Sequence, residues 1–517
     1  MGMNRHRPLL PALVCWVLSS CSDKVATQTP DKPQPEAVVA PLGRASVEQP
    51  QVEVPEGLSF LIIGGGADPM SNQVSLAQDA EHARSLLAGT GLTLFASGPR
   101  AQLALDAPVP ERPATLRERL AVLFAVPGSL ATRYAPADLQ IDGPATREQV
   151  LGTLEKALYH GGSEPLLVYA TCHGERGQSA RDNAMSLWGG QSLEVSDVAD
   201  ALAPPEPDLT VRPVRFVITS CYGGGFADMI FREADEQKGL TPAADRCGLF
   251  AAPWDDEASG CDPNPNRRDQ ESYAIHFWHA LEGEDRTHHT RLKEIDLDAD
   301  GKVGLLEAHT WARIHAASFD IPTNTSERYL RHAAQRQGKV ELDPVAAPEE
   351  VAVIRALGGK LELDSEQAAR NKLAEIDSAL NEVRSLVEEA QAREDEAYQL
   401  LRIGLLERWP LLEHPWEERT QRMLAREGKR ITRMLTESAL ADAQTAALHD
   451  LDEVTAQHDL ARVQRARVLR LVQAFETLRL ASGLKLRGGE PWARFERIRS
   501  CERWSPPLRT RTHTAKP

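Results

Sequence analysis

The sequence has no excess of positive charge. Its 59 lysine and arginine residues are outnumbered by 75 aspartate and glutamate residues, and the formal net charge is −16. Proteins that bind nucleic acids present dense basic surfaces, and no cluster of that density occurs here. We therefore expect no nucleic-acid partner.

The apolar run at the N-terminus is short. Residues 9–18 follow Arg5 and Arg7 and span fewer than the roughly 20 residues that a membrane-spanning helix needs. The run ends in Leu18-Ser19-Ser20-Cys21, which resembles the lipobox of bacterial lipoproteins. The resemblance implies that residues 1–21 are a signal peptide and that Cys21 carries a lipid that binds the membrane. Ser22 after it implies export to the outer membrane, facing the periplasm or the surface. The alternatives are an ordinary secretory signal or a single anchor helix.

Cysteine is scarce. Of seven cysteines, processing would remove one and modify Cys21, which leaves residues 172, 221, 247, 261 and 501. An exported chain meets an oxidising compartment, so a disulfide is possible. Cys247 and Cys261 are close in sequence and are the pair we expect. An odd number leaves at least one free thiol unless chains are cross-linked.

A chain of 517 residues predicts two or three structural units. Residues 22–55 are rich in proline and lack periodic apolar positions, which indicates a disordered tether. Residues 56–345 alternate apolar strands with amphipathic helices, a pattern typical of an α/β sandwich with a mostly parallel sheet. Residues 346–485 predict an α-helical coiled-coil hairpin, and residues 486–517 a flexible basic tail. The coiled-coil positions are Leu373, Ile376, Leu380, Val383, Val387 and Ala390.

Two apolar segments end in residues that suit nucleophilic catalysis. "LLVYATC" (166–172) is followed by His173, and "VRFVITS" (214–220) by Cys221. Parallel sheets bind ligands at the carboxyl ends of their strands, so we expect the two residues to meet there. A thiol reacts as the thiolate and needs a base, which His173 can provide. Cys172 should point to the opposite face of the strand and take no part.

The ordered pair of motifs, "LLVYATCHGERG" and "FVITSCYGGGFADMI", resembles the legumain family of cysteine peptidases. That family includes the glycosylphosphatidylinositol transamidase, and its clan includes the caspases. The likeness covers residues 58–280. It implies a caspase-like three-layer sandwich and a cysteine endopeptidase that forms a thioester acyl-enzyme. Cys221 would be the nucleophile and His173 the general base, and the amides of Gly174 and Cys221 would form the oxyanion hole.

The substrate pocket departs from the family pattern. No arginine occurs in residues 67–75, where legumain-type pockets use one, and Thr219 stands where metacaspases carry an aspartate. The peptide or protein substrate is therefore left open. Asp68 and Asn72 lie in the loop that would line a pocket or orient His173. Asp255 and Asp256 would form an acidic pocket for a basic side chain, the alternative being a solvated loop.

A second motif, "DLDADGKVGLLE" (296–307), matches the calcium loop of an EF-hand. The positions that supply ligands in such loops are Asp296, Asp298, Asp300, the carbonyl of Lys302, and Glu307. The spacing predicts a structural Ca²⁺ site, with an acidic turn as the alternative. By contrast, the histidines at 276, 279, 288 and 289 lack zinc-finger spacing, and we expect surface or core roles for them.

Two other functions fit the same residues. An acyl-enzyme can be resolved by an amine, which would make the protein a transpeptidase or transamidase. Alternatively, the protein is a non-catalytic, lipid-anchored interaction protein that uses its coiled coil. In either case the coiled coil would serve self-association or a protein partner.

Overall fold

The computed structural model describes residues 52–108, 114–125, 130–160, 162–203, 211–241, 245–333 and 340–509. The expected signal peptide, the lipidation site Cys21 and nearly all of the expected tether at 22–55 lie outside these residues. No helix among the described residues is long and apolar enough to cross a membrane.

The centre of the described chain is a six-stranded sheet. Five neighbouring strands run parallel, and the sixth, at one edge, is antiparallel. In spatial order the strands are β11 (Thr323–Asn324), β10 (Arg246–Phe250), β9 (Val214–Ile218), β5 (Leu166–Cys172), β1 (Leu58–Gly65) and β2 (Thr90–Phe95). The predicted mixed α/β class with a mostly parallel sheet is confirmed.

Both faces of this sheet are covered, which explains the unbroken apolar character of its strands. In β1, Phe60 and Ile62 point into one core, and Leu61 and Ile63 point into the other. The helices that border the first core are α1 (Val74–Leu86), α5 (Tyr273–Leu281) and α7 (Leu305–His315). Those that border the second are α3 (Arg147–His160) and α4 (Val195–Ala201).

Smaller elements lie around the sheet. The strands outside it are β3 (Gln102–Asp106) with β4 (Thr132–Pro136), and β6 (Gly174–Glu175), β7 (Ala184–Leu187) and β8 (Gln191–Glu194). The short helices are α2 (Leu116–Phe124), α6 (Leu292–Ile295) and α8 (Thr325–Ala333), and a 3₁₀ segment spans Gly223–Ile230.

The C-terminal region is helical, as predicted. Its helices are α9 (Pro348–Leu361), α10 (Glu366–Arg408), α11 (Glu418–Glu437), α12 (Ala439–Arg487) and α13 (Gly489–Glu502). The two long helices, α10 and α12, pack along each other. The sequence predicts one helix over about 419–479, whereas the structure breaks it at Ser438, which caps α12 by accepting a hydrogen bond from Ala441 N.

The helical region shares its core with the α/β part. In one cluster, Leu471 and Phe475 of α12 pack with Val353 of α9, next to Ile314 of α7. The expected boundary at 345/346 therefore does not separate two independently packed units. Arg470 of α12 is fully buried and donates hydrogen bonds to the carbonyl oxygens of Arg313, Ala316, Ser318 and Asp320.

Two sequence predictions are overturned at the C-terminus. The disulfide joins Cys247 to Cys501, 254 residues away, and Cys261 is a free thiol, so the predicted Cys247–Cys261 pair is wrong. The expectation of a flexible tail also does not hold for 489–502. Phe495, Ile498 and Cys501 recur every three residues and are buried on one face of α13, which is the pattern of a packed helix.

Candidate active site

Strands β5 and β9 are neighbours and bring their carboxyl ends to one edge of the sheet. Ala170 of β5 is paired with Ile218 of β9. Thr219, which follows β9, keeps the chain tied to β5 because both its N–H and its hydroxyl donate to the Ala170 carbonyl, at 2.9 and 3.1 Å. His173 and Cys221 therefore emerge at the same edge, as the sequence predicts.

The imidazole of His173 is fixed in one orientation. Its Nε2 lies 2.8 Å from the carbonyl oxygen of Ser71 and 2.9 Å from Gln73 Oε1. A carbonyl only accepts hydrogen bonds, so Nε2 carries the proton and Nδ1 is the basic nitrogen. Burial lowers the pKa of His173 below its ordinary value of 6.5, and the Ser71 carbonyl opposes part of that shift. The neutral, proton-accepting form is thereby favoured.

Asp68 supports this arrangement from the turn after β1. Its Oδ1 accepts hydrogen bonds from the N–H groups of Met70 and Ser71, at 2.8 and 2.9 Å. The turn thus presents the Ser71 carbonyl to His173. Of the two roles predicted for Asp68, its contacts correspond to orientation of the histidine.

Asn72 does not line a pocket, which was one of the two roles predicted for it. It is fully buried; its Oδ1 accepts from Gly66 N at 3.0 Å and its Nδ2 donates to the Gln102 carbonyl at 2.7 Å. The Asn72 amide lies between two loops and forms hydrogen bonds with their buried backbone groups, so its role is structural.

The backbone around Cys221 is tightly held. Tyr222 adopts a positive φ of 58°, a conformation that is uncommon for residues other than glycine. Its N–H donates to the Asp256 carbonyl at 2.9 Å, and its carbonyl accepts from Asn183 Nδ2 at 3.1 Å. The backbone at Gly174 also comes very close to this segment, since a Cβ atom on Gly174 would lie 1.9 Å from the Cys221 carbonyl oxygen. Only glycine fits at 174.

The predicted oxyanion donors lie next to this contact. Ser186 N donates to the His173 carbonyl at 2.9 Å, and Gly174 is paired with Met185 one position further along. Hydrogen-bonded and non-hydrogen-bonded pairs alternate in antiparallel strands, so Gly174 is in a non-hydrogen-bonded pair. Its N–H therefore points away from β7 and forms no hydrogen bond with that strand.

The thiol of Cys221 faces backbone groups in this conformation. Its Sγ lies 3.4 Å from Ala258 N and 3.5 Å from the Ala258 carbonyl oxygen. Burial raises the pKa of Cys221 to about 12, and the neighbouring Cys261 thiol adds to the rise. Nδ1 of His173 is instead in contact with Cys261 Sγ, at 3.6 Å. The structure thus brings Cys221 and His173 to one site, with Cys261 as a second thiol there.

Cys172 lies apart from this pair, as predicted. It belongs to the core on the second face of the sheet, whereas Cys221 and Cys261 border the core on the first face. Burial raises the pKa of the Cys172 thiol far above its ordinary value. Its position on the other face of the sheet therefore separates it from the pair.

The loop that carries Asp255 and Asp256 packs against the helical region. The Asp256 carboxylate lies 3.8 Å from Arg465 Nη1 of α12, and Glu257 lies 3.2 Å from Arg462 Nη2. These arginines offset the negative charge that was predicted to attract a basic substrate residue. Asp255 remains exposed, so of the two predicted pocket carboxylates it is the one open to solvent.

Asp320 and Arg470 connect the same loop to α12. Asp320 accepts hydrogen bonds from Ser259 N and Ser259 Oγ, at 2.5 and 2.7 Å, and from Tyr273 N at 2.8 Å. Arg470 in turn holds the Asp320 carbonyl at 2.7 Å. The helical region therefore helps to position the segment that contacts the Cys221 thiol.

The predicted calcium loop has converging carboxylates. Among the side-chain carboxylates, Asp296, Asp298 and Glu307 each offer an oxygen within 4.8 Å of the others, whereas Asp300 is not part of this group; the ligand predicted from Lys302 is a backbone carbonyl rather than a side chain. Glu307 Oε1 accepts from Leu297 N at 2.6 Å, and Asp296 Oδ2 accepts from Gly301 N at 2.9 Å. An all-oxygen donor set fits a hard cation such as Ca²⁺.

Sequence reasoning missed two contributors to the site. Gln73 contacts His173, and no motif marks it. Cys261 was expected in a disulfide, although its position in the segment after β10, which follows β9 in the sheet, was a signal for the same edge. No family model matches the sequence, and no curated protein matches it.

Proposed function

We propose that this chain is a cysteine endopeptidase with a caspase-like three-layer arrangement, in which Cys221 is the nucleophile and His173 the general base. The observation that carries the proposal is the anchored imidazole. Its Nε2 donates to the Ser71 carbonyl and its Nδ1 faces the thiol side of the sheet edge. A histidine held in this way accepts a proton at one defined atom.

The reaction would begin with transfer of the Cys221 proton to His173 Nδ1. The thiolate attacks the scissile carbonyl, and the N–H groups of Gly174 and Cys221 hold the oxyanion. The imidazolium then protonates the leaving amine, and a thioester remains on Cys221. Water, deprotonated by His173, hydrolyses the thioester. Because the thiol faces Ala258 in this conformation, its side chain must rotate toward the imidazole when substrate binds.

Cleavage of a diverse peptide library by the full chain tests the proposal. We expect the wild type to cleave, Cys221→Ala to be inactive, and the matched Cys261→Ala variant to retain cleavage. An added amine acceptor distinguishes peptidase from transpeptidase, because only the latter forms a new amide product. The contact of Cys221 with Ala258 favours a non-catalytic protein as the second candidate. If the wild type with Ca²⁺ present neither cleaves the library nor reacts with a probe that alkylates catalytic thiols, the enzyme proposal is abandoned in favour of that candidate.

We also propose that the loop at 296–307 binds Ca²⁺ as a structural ion. Asp296, Asp298 and Glu307 would hold the ion, which would join the end of α6 to α7. The ion supplies charge neutralisation for the carboxylates and takes no part in the reaction. Calorimetric titration of wild type and Asp296→Ala should show binding that the substitution removes; unchanged calcium uptake would contradict the site.

The proposal also includes attachment of the protein to the membrane and its binding to other proteins. The lipobox-like segment ending at Cys21 would place a lipid on this cysteine and hold the protein at the outer membrane. The α10–α12 pair would serve self-association or a protein partner. Incorporation of labelled fatty acid into wild type but not Cys21→Ala tests the anchor, and sedimentation of the chain tests self-association.

A further inference from the structure

Three histidines and two glutamates gather where α1 meets the end of α5. His82 lies on α1, His279 on the last turn of α5, and Glu282 directly after it. Glu284 and His288 follow in the next turn. His82, His279 and Glu282 each offer a donor atom within 4.8 Å of the others, and so do His279, Glu284 and His288. This cluster is separate from the calcium loop and from the Cys221 site.

The distances between the donor atoms distinguish ordinary hydrogen bonds from the coordination of a metal ion. Glu282 Oε2 lies 3.4 Å from His82 Nε2, a long hydrogen bond, and 3.3 Å from His279 Nδ1. Good N–H···O hydrogen bonds are shorter, at about 2.7–3.2 Å. Ligands of a tetrahedral zinc ion, with bonds of about 2.0–2.1 Å, lie about 3.3–3.4 Å apart. Both distances match the edges of such a tetrahedron.

The burial of His279 supports a ligand at this position. The residue is 9% exposed, and its Nδ1 faces Glu282 Oε2 at 3.3 Å without the geometry of a hydrogen bond and has no other hydrogen-bond partner among the described residues. Buried polar atoms are normally satisfied, so this nitrogen needs an explanation. The carboxyl end of α5 also carries partial negative charge, which favours a cation.

His288 contributes from the other side. Its φ of 62° is uncommon for a residue other than glycine, and its ring packs edge-on against that of His279 with centroids 4.8 Å apart. Its Nδ1 lies 3.3 Å from Glu284 Oε2. The turn therefore keeps a third imidazole within reach of the same region.

We propose that His82, His279 and Glu282 bind a divalent transition-metal ion, with Zn²⁺ as the best match to two imidazoles and a carboxylate. The ion cross-links α1 to α5. Each helix follows a loop of the candidate active site: Gln73 directly precedes α1, and Cys261 lies upstream of α5. The proposal does not depend on the proposed peptidase activity.

The test is a Zn²⁺ titration of the metal-free full chain against a chromophoric competing chelator, with thermal unfolding in parallel. We expect one Zn²⁺ equivalent at this site and a raised unfolding temperature. His82→Gln and Glu282→Gln should each weaken binding at least about 100-fold, since even the loss of a group that only supports a ligand costs about 10–100-fold. His289→Gln is the matched control, because this exposed neighbour lies outside the cluster and should bind normally.

Further variants test whether zinc binds instead to the thiols of Cys221 and Cys261 or to the carboxylates of the loop at 296–307. Zinc binding should persist in the Cys221→Ser/Cys261→Ser double variant and in Asp296→Asn. Co²⁺ substitution should give a tetrahedral visible spectrum without the near-ultraviolet charge-transfer band of thiolate ligands. Absence of zinc binding by the wild type, or binding that is lost with the thiols and unaffected by both His82→Gln and Glu282→Gln, would overturn the proposal. Circular dichroism of each variant verifies that it is folded.

Discussion

Removal of the Cys247–Cys501 disulfide should strongly destabilise the protein. The bond joins β10 of the central sheet to α13 and closes a loop of 254 residues. In the chain-entropy description, cross-linking a loop of this length restricts the unfolded state by about 5.5 kcal/mol at 25 °C. Residual structure in the unfolded chain reduces this figure, so we expect a loss between about 2 and 5.5 kcal/mol.

The perturbation is the Cys247→Ala/Cys501→Ala double variant of the full chain, which leaves no unpaired partner. Urea unfolding followed by circular dichroism gives the free energy of unfolding with and without reductant. The wild type should lose stability on reduction, whereas the double variant should be indifferent to reductant. The matched control is Cys261→Ala, which removes the cysteine closest to Cys247 in sequence and should keep the disulfide.

Peptide mapping of the unreduced protein decides the connectivity independently. A Cys247–Cys501 cross-linked peptide must be present in both wild type and Cys261→Ala. Loss of the disulfide in Cys261→Ala, or a double variant as stable as the oxidised wild type, would refute the reasoning.

Three further predictions follow from single contacts. Gly174→Ala should abolish peptide cleavage, because its Cβ would lie 1.9 Å from the Cys221 carbonyl oxygen; full activity in a peptide-cleavage assay would contradict the packing at this turn. Arg470→Met should lower the free energy of unfolding by about 3 kcal/mol or more, since buried carbonyls lose their donors. Urea unfolding measures this, and half-buried Arg467→Met is the control. Finally, cleavage should rise with pH as the His173 imidazole loses its proton. The midpoint of this rise should lie below pH 6.5, because burial lowers the pKa of His173. An acid limb above pH 6.5 would contradict the burial of the ring.

The strands that form the site were predictable because their chemistry is local. The apolar runs before His173 and Cys221 are typical of strands that are buried on both faces of a sheet, and such strands end where the chain reaches the surface. The carboxylates of the predicted calcium loop are also fixed by spacing within twelve residues. In both cases the information lies within one short segment.

Long-range contacts were not predictable in the same way. The partner of Cys247 lies 254 residues away, and nothing near Cys501 in sequence distinguishes it from Cys261. The cluster of His82 with His279 joins residues almost 200 positions apart, so no zinc spacing marks it. Arg470 has the sequence context of a solvated coiled-coil arginine, and only the packing of α12 on the α/β part buries it.

The residue that contacts the His173 imidazole was also not predictable from the sequence. His173 was expected beside Cys221, and the two do share an edge of the sheet, but the side chain that touches Nδ1 belongs to Cys261. Strand order determines which segments meet. The rotamers and loop path that select one thiol over another depend on contacts such as those of Ala258 and Asp320.

The most direct test of the central claim is to map which thiol reacts with an electrophilic peptide probe, and how His173 affects the rate. We predict that mass spectrometry finds the probe on Cys221, that Cys261→Ala is labelled as the wild type is, and that His173→Ala reacts far more slowly at neutral pH, where a thiol with a pKa of about 12 is almost wholly protonated. Labelling of Cys261 in preference to Cys221, or a rate that is unchanged in His173→Ala, would contradict the account.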